Sequence, residues 1–236
     1  MKAIILAAGA GRRLGAAVPK CMLDVGGMSI IHRQLAALSA EGIDEYVVVV
    51  GYEQDRVREH LAGRPGRFIF VVNEQYASTN TVYSLYLAAS HLTGTCWYAN
   101  ADVVFDRRLI RRLADDSSPA ALAVQTHPCG EEEVKVIVRE GLVVRIGKAI
   151  PPVEAGGEFL GVARLNGDVA AALARTLTEL VEQQSVIADY FERGLDRLCS
   201  EFAIKAVDVT DLPCHEIDFP ADLEKARREI ALRLEE

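Results

Sequence analysis

Four apolar runs dominate the first hundred residues: Ile4–Ala8, Tyr46–Val50, Phe68–Val72 and Cys96–Asn100. None alternates polar with apolar, so each predicts a strand covered on both faces. Helical patterns separate them. Ser29 is placed to cap a helix running to about Ala40, and Gly42 suits its end. Gln54–Leu61 reads as a helix broken by Gly63-Arg64-Pro65-Gly66, and another starts at Thr79 or Asn80. Strand and helix in strict alternation imply right-handed crossovers and a parallel sheet. The expected class is therefore α/β, with a Rossmann-like, mostly parallel sheet.

Beyond residue 118 the pattern changes. Short strands are expected at Leu122–Gln125, Val134–Val138, Leu142–Ile146, Phe159–Leu165 and Ala203–Val207. Helices are expected near Asp168–Gln183 and Val186–Leu198, and from Pro220 to the C-terminus. The chain reads as one domain, a nucleotide-binding half (1–118) and an acceptor-binding half (119–236, a mixed α+β extension) sharing a sheet. Ligands of such sheets bind beyond the carboxyl ends of the strands.

Composition narrows the partners. The formal net charge is -8 and there is no basic block, which disfavours nucleic acid. No apolar run has the roughly 18 residues that span a membrane, and the N-terminus shows no secretory cleavage pattern. Cys21, Cys96, Cys129, Cys199 and Cys214 are widely spaced without C-x-x-C, as expected of reduced thiols in a cytoplasmic protein.

Against that acidic background, the segment after the first strand is cationic. Gly9-Ala10-Gly11 is followed by Arg12, Arg13 and, after Pro19, Lys20; the first carboxylate is Asp24. Glycines let backbone N–H groups approach an anion, and the side chains supply charge. The turn is neither a Walker A loop nor a dinucleotide fingerprint, because Leu14 stands where the third glycine belongs. A plain βα turn with solvated arginines is the alternative. Asp102 follows the fourth strand, and Glu216-Ile217-Asp218 precedes the last helix with alternate residues on one side. Either group is also compatible with capping.

Leu6 through Leu14, followed by Pro19-Lys20, resembles the signature L-A-A-G-x-G-[ST]-R-[LM] then P-K of nucleotidyltransferases that join an NTP to a phosphorylated small molecule, enzymes of GT-A-like fold. Arg12 departs from it at the small hydroxyl position, and the loop from Leu14 to Pro19 is short. Asn80-Thr81-Val82-Tyr83-Ser84-Leu85 looks like the N-x-x-x-S-L pattern of the phosphocholine and phosphonate cytidylyltransferase branch. Glu216-Ile217-Asp218 with Asp222 resembles its E-I-D-x-x-x-D ending.

The resemblance implies transfer of CMP from CTP to an anionic small molecule, with Mg2+ held by Asp102 and Asp218, and it admits a homodimer. It gives Lys20 and Arg13 the catalytic roles. Leu6, Ala8, Gly9, Ala10, Gly11, Arg12, Asn80, Ser84, Asn100 and Ala101 would hold the nucleotide, and Lys148 and Tyr83 the acceptor. Lys135 reads as a solvated strand lysine and Glu158 as structural; His127, His215 and Glu216 receive no role. The rivals are a sugar-1-phosphate nucleotidyltransferase using UTP, GTP or dTTP, a glycosyltransferase, which usually shows D-x-D, and a non-catalytic nucleotide sensor.

Overall fold

A computed structural model describes residues 1–15 and 18–234. Ala16 and Ala17, in the shortened loop before Pro19, lie outside the described residues, as do the last two residues of the expected C-terminal helix. The elements run β1 (Lys2–Ala7), a small hairpin of β2 (Asp24–Val25) and β3 (Met28–Ser29), α1 (Ile30–Ala40), β4 (Glu45–Val50), α2 (Gln54–Leu61), β5 (Arg67–Val72), α3 (Thr81–Leu87), β6 (Cys96–Asn100), β7 (Val103–Phe105) and α4 (Arg107–Asp115). The second half adds β8 (Ala120–Gln125), β9 (Lys135–Arg139), β10 (Leu142–Gly147), β11 (Gly157–Leu165), α5 (Gly167–Thr178), α6 (Glu192–Leu198), β12 (Ile204–Asp208), β13 (Cys214–Glu216) and α7 (Pro220–Lys225).

One nine-stranded sheet carries both halves, in the order β5-β4-β1-β6-β11-β8-β12-β10-β9. Its first four strands are parallel, as the unbroken apolar runs predict. Along β1, Ile4 and Leu6 enter the core on one face, and Ala3, Ile5 and Ala7 the core on the other. The extension is mixed: β11 runs antiparallel to β6 and β8, while β12 is parallel to β8.

The expected helix at Val186–Leu198 forms only from Glu192 onward. The preceding residues serve α3 instead. Asn80 N–H donates to Ile187 O (2.9 Å), Val82 N–H to Asp189 O (3.2 Å) and Phe191 N–H to Thr81 Oγ1 (3.0 Å). The first amides of a helix have no partner within it, and here a neighbouring segment gives up its own helix to supply them. Lys135 is also not solvated. It is fully buried, and its ammonium donates to the carbonyls of Gly130, Glu131 and Glu133 at 3.0–3.1 Å.

Candidate active site

Two short strands decide where the carboxylates meet. β13 pairs antiparallel with β7, Glu216 opposite Val103, and Ile217 N–H donates to Asp102 O at 3.0 Å. Ile217 is buried in a small cluster with Leu14, Val104 and Ile230. The alternation of side chains then turns Glu216 and Asp218 the other way, toward Asp102. Carboxylate oxygens of Asp102, Glu216 and Asp218 lie within 4.8 Å of one another.

Lys20 enters this cluster from beneath the glycine turn. Its Nζ donates to Asp102 Oδ2 at 3.2 Å and to Asp218 Oδ1. Gly11 makes the passage possible: its φ is +55°, and a Cβ there would lie 2.8 Å from Lys20 Cγ. Burial works against the Lys20 ammonium, but the two carboxylates outweigh it and hold the pKa above its ordinary value. Glu216 is pushed up to about 8, first by burial and then by the Asp102 and Asp218 charges. Three converging oxygen donors in such a place suit a hard divalent cation. Arg13 donates to Asp218 Oδ2 at 2.7 Å and lies 5.0 Å from the Phe219 ring centroid. Asp222 accepts from the backbone of Asp218 (3.0 Å) and Phe219 (2.7 Å), fixing the turn that carries Asp218.

Above the cluster, at the carboxyl edge of the parallel strands, lies a cavity of about 870 Å³. Leu6, Ala8, Gly9, Gly11, Arg12 and Arg13 line it from the first strand and turn. Asn80 and Ser84 reach it from α3, and Asn100, Ala101 and Asp102 from the end of β6. Lys20, Lys148 and Asp218 complete the residues expected from sequence. Ala10 and Tyr83 are not among the lining residues. The Tyr83 hydroxyl accepts from Gln75 Nε2 at 3.1 Å, and its ring packs on Tyr86. Tyr190 lines the cavity instead, its ring 4.5 Å from Lys148 Nζ.

Several polar groups in the wall are fixed from behind. Asn80 Oδ1 accepts from Thr81 N–H at 2.8 Å, so its carbonyl caps α3. Buried Asn73 donates to Ser84 Oγ (3.0 Å) and Thr79 Oγ1 (3.1 Å). Tyr98, on β6, donates its hydroxyl to Asn100 Oδ1, and Gly161 has no Cβ where one would collide with the Asn100 amide. Gln34 of α1 donates to the carbonyls of Asn100 and Val103, both at 2.8 Å, clamping the turn that bears Asp102. On the opposite wall His127 Nε2 lies 2.9 Å from Glu158 Oε2. Burial disfavours charge on His127, but Pro128 O and Glu158 raise its pKa overall, and burial raises that of Glu158. Glu132 comes within 3.5 Å of Arg13 and 3.9 Å of Lys148 across the mouth. His127 drew attention in the sequence without receiving a role, and neither Glu132, on the loop before β9, nor Glu192, the first residue of α6, was given one.

The chain resembles known proteins over nearly its whole length. It is 26% identical to the CTP:phosphoglutamine cytidylyltransferase of Campylobacter jejuni, over 95% of this chain and 98% of that one. It is 36% identical to the CMP-5'-(3-aminopropyl)phosphonate synthase of Streptomyces rubellomurinus, over 52% of this chain but only 20% of that longer protein. The structure of the CTP:phosphocholine cytidylyltransferase of Streptococcus pneumoniae superposes with a TM-score of 0.82, covering 96% of this chain and 97% of that one at 24% identity, which establishes the shared fold. Among the described residues, no helix is long and apolar enough to cross a membrane. Residues 3–185 match the model of the MobA-like NTP transferase domain, and the chain belongs to that family.

Proposed function

We propose that the chain transfers CMP from CTP to a phosphate or phosphonate oxygen of a small molecule, releasing pyrophosphate. The observation that carries this reading is Lys20, held by Asp102 and Asp218 at the carboxyl edge of the sheet. Within the cavity, we assign the 1–118 half to the nucleotide and the 119–236 half to the acceptor.

In this reading the acceptor oxygen attacks the α-phosphorus, and the bond from that phosphorus to the oxygen bridging to the β-phosphorus breaks. Pyrophosphate leaves with the electron pair. The nucleophile is already anionic, so no residue has to act as a general base, and the protein's work is alignment and charge neutralisation. Arg12, Arg13 and the amides of the Gly9–Gly11 turn hold the outer phosphates. Lys20 neutralises charge growing on the α-phosphoryl oxygens. Asn80 offers its free amide N–H groups, and Ser84 its hydroxyl, to the base side. Lys148 meets the acceptor's anionic group. Asp102, Glu216 and Asp218 would hold Mg2+, which would supply positive charge to offset that developing on the α-phosphoryl group.

The test is pyrophosphate release with each of the four NTPs against a panel of phosphorylated amino alcohols, phosphonates, polyol phosphates and sugar 1-phosphates. CTP with a non-sugar acceptor is the expected pair. Turnover confined to UTP, GTP or dTTP with a sugar 1-phosphate would replace this reading with the sugar-nucleotide one. Lys20→Ala and Asp102→Asn are each expected to lower kcat by about 10²-fold or more without changing the circular dichroism spectrum. Normal turnover in either variant sinks the assignment.

A further inference from the structure

The acceptor wall is acidic for a surface that must take in an anion. Glu132, Glu133, Glu158 and Glu192 line it beside Lys148. Glu132 is exposed at the mouth, and Glu192 is buried at 3% exposure. Any of these carboxyls, once ionised, competes with the acceptor for the Lys148 ammonium. For Glu158 the fold supplies an answer. It stands on β11 opposite Gln125 of β8 and Lys135 of β9, with its side chain 13% exposed. His127, in the loop after β8, brings Nε2 to 2.9 Å from Glu158 Oε2, and its Nδ1 lies 3.0 Å from Pro128 O. A carbonyl oxygen only accepts, so Nδ1 carries a hydrogen. One further hydrogen between Nε2 and Oε2 makes the pair neutral whichever atom holds it, as imidazolium with carboxylate or as imidazole with carboxylic acid. Without that hydrogen two lone pairs face each other and the pair carries a full negative charge.

The groups around Glu158 show where that charge would act. Glu133, from the loop before β9, and Lys148, after β10, both act on it. It acts in turn on Cys129, and on Cys214 and Glu216 of β13. Lys148 is the cation that a bare Glu158 would draw on. We propose that His127 is a positioning residue for the acceptor: the proton it shares with Glu158 keeps that carboxyl from competing for Lys148, whose ammonium is left to the acceptor's anionic group. This role rests on the transferase reading and holds for any acceptor with a phosphoryl or phosphonyl end. It also has a sign in pH. Burial disfavours charge on His127, but Pro128 O, Glu158 and Glu133 outweigh it and hold the pKa above the ordinary 6.5. As pH rises through that value the pair turns negative, and the hold on the acceptor weakens.

Steady-state kinetics test this with CTP and Mg2+, using phosphocholine, 2-aminoethylphosphonate and glucose 1-phosphate as probes, each that turns over being informative. His127→Asn is expected to raise KM for the acceptor about tenfold, while kcat and KM for CTP stay near their wild-type values. Adding Glu158→Gln is expected to recover most of that loss, which a mere loss of packing at His127 would not allow. The ratio of acceptor KM in the wild type to that in Glu158→Gln is expected to climb from pH 6.5 upward. Taking the ratio cancels the titrations of the acceptor, Glu192 and Glu216. An unchanged acceptor KM in His127→Asn overturns the proposal. So does a loss that Glu158→Gln does not recover, or a ratio flat in pH, which is read without the His127 variant should that fail to fold. Absence of pyrophosphate release with every nucleotide and acceptor sinks the transferase reading instead. In that case, or if none of the three probes turns over, His127 is decided by calorimetric titration of the same probes into the wild type and His127→Asn. Equal affinity, or no binding by either protein, overturns the role.

Discussion

Glu192 holds its carboxyl where water does not reach, and the consequence for stability can be signed. Its folded pKa of about 7 stands above the ordinary carboxyl value of 4.5. Between those two pH values the unfolded chain has lost the proton and the folded chain keeps it, so raising pH favours unfolding. The contribution is fully present below about pH 4.5 and has gone above about pH 7. Across that window the ligand-free wild type loses about 3 kcal/mol relative to Glu192→Gln. Urea unfolding of both proteins at pH 5 and pH 8 checks it. A stability difference that does not change with pH would show that the carboxyl stays hydrated or paired in solution. Lys20 is the contrary case, a cation in the same cavity whose carboxylate partners more than offset its burial.

At the scale of elements, α1 reaches the reaction centre without contributing a group to it. Gln34 lies on the buried side of that helix and holds both ends of the Asn100–Val103 turn. Gln34→Leu keeps the volume and removes both donors, leaving two carbonyls short of partners. The expected loss is about 1–3 kcal/mol of stability, with about tenfold or more lost in kcat as Asp102 drifts. Unfolding curves and the pyrophosphate assay measure the two effects, and an unchanged kcat would show that the turn keeps its shape alone. The helix itself was legible from Ile30, Ile31, Leu35 and Leu38, and Gln34 falls on the same face by helical spacing, but a lone glutamine there does not say which carbonyls it serves. The same limit explains β7 and β13. Three residues carry no usable period, so the ribbon that brings Glu216 to Asp102 could be anticipated only through the E-I-D resemblance. The strands β1, β4 and β6 were plain, because strands buried on both faces write themselves as unbroken apolar runs; β5, at the sheet edge and only half-buried, carries an equally apolar run. Residues 186–191 were misread as helical because their local preference is overruled by the open amides of α3.

On the scale of the whole molecule, the walls proposed for nucleotide and acceptor belong to one sheet, so a ligand filling the cavity ties the two halves together. A ligand that binds only the folded state at 100 times its Kd adds about 2.7 kcal/mol. For a chain of this size that is a rise in Tm of roughly 5–10 °C. CTP with Mg2+ is expected to give it in a thermal scan, and the other three NTPs less. Equal stabilisation by all four would remove the case for cytosine recognition by Asn80 and Ser84. The ribbon of β7 and β13 has one more consequence, and it concerns synthesis. Asp102, Lys20 and the glycine turn leave the ribosome early, whereas Glu216 and Asp218 are among the last residues made. A nascent chain that ends before Cys214 holds only one of the three clustered carboxylates, and its Arg13 and Lys20 lack Asp218. The arrangement on which the proposed transfer depends is therefore complete only once the last strand has been made.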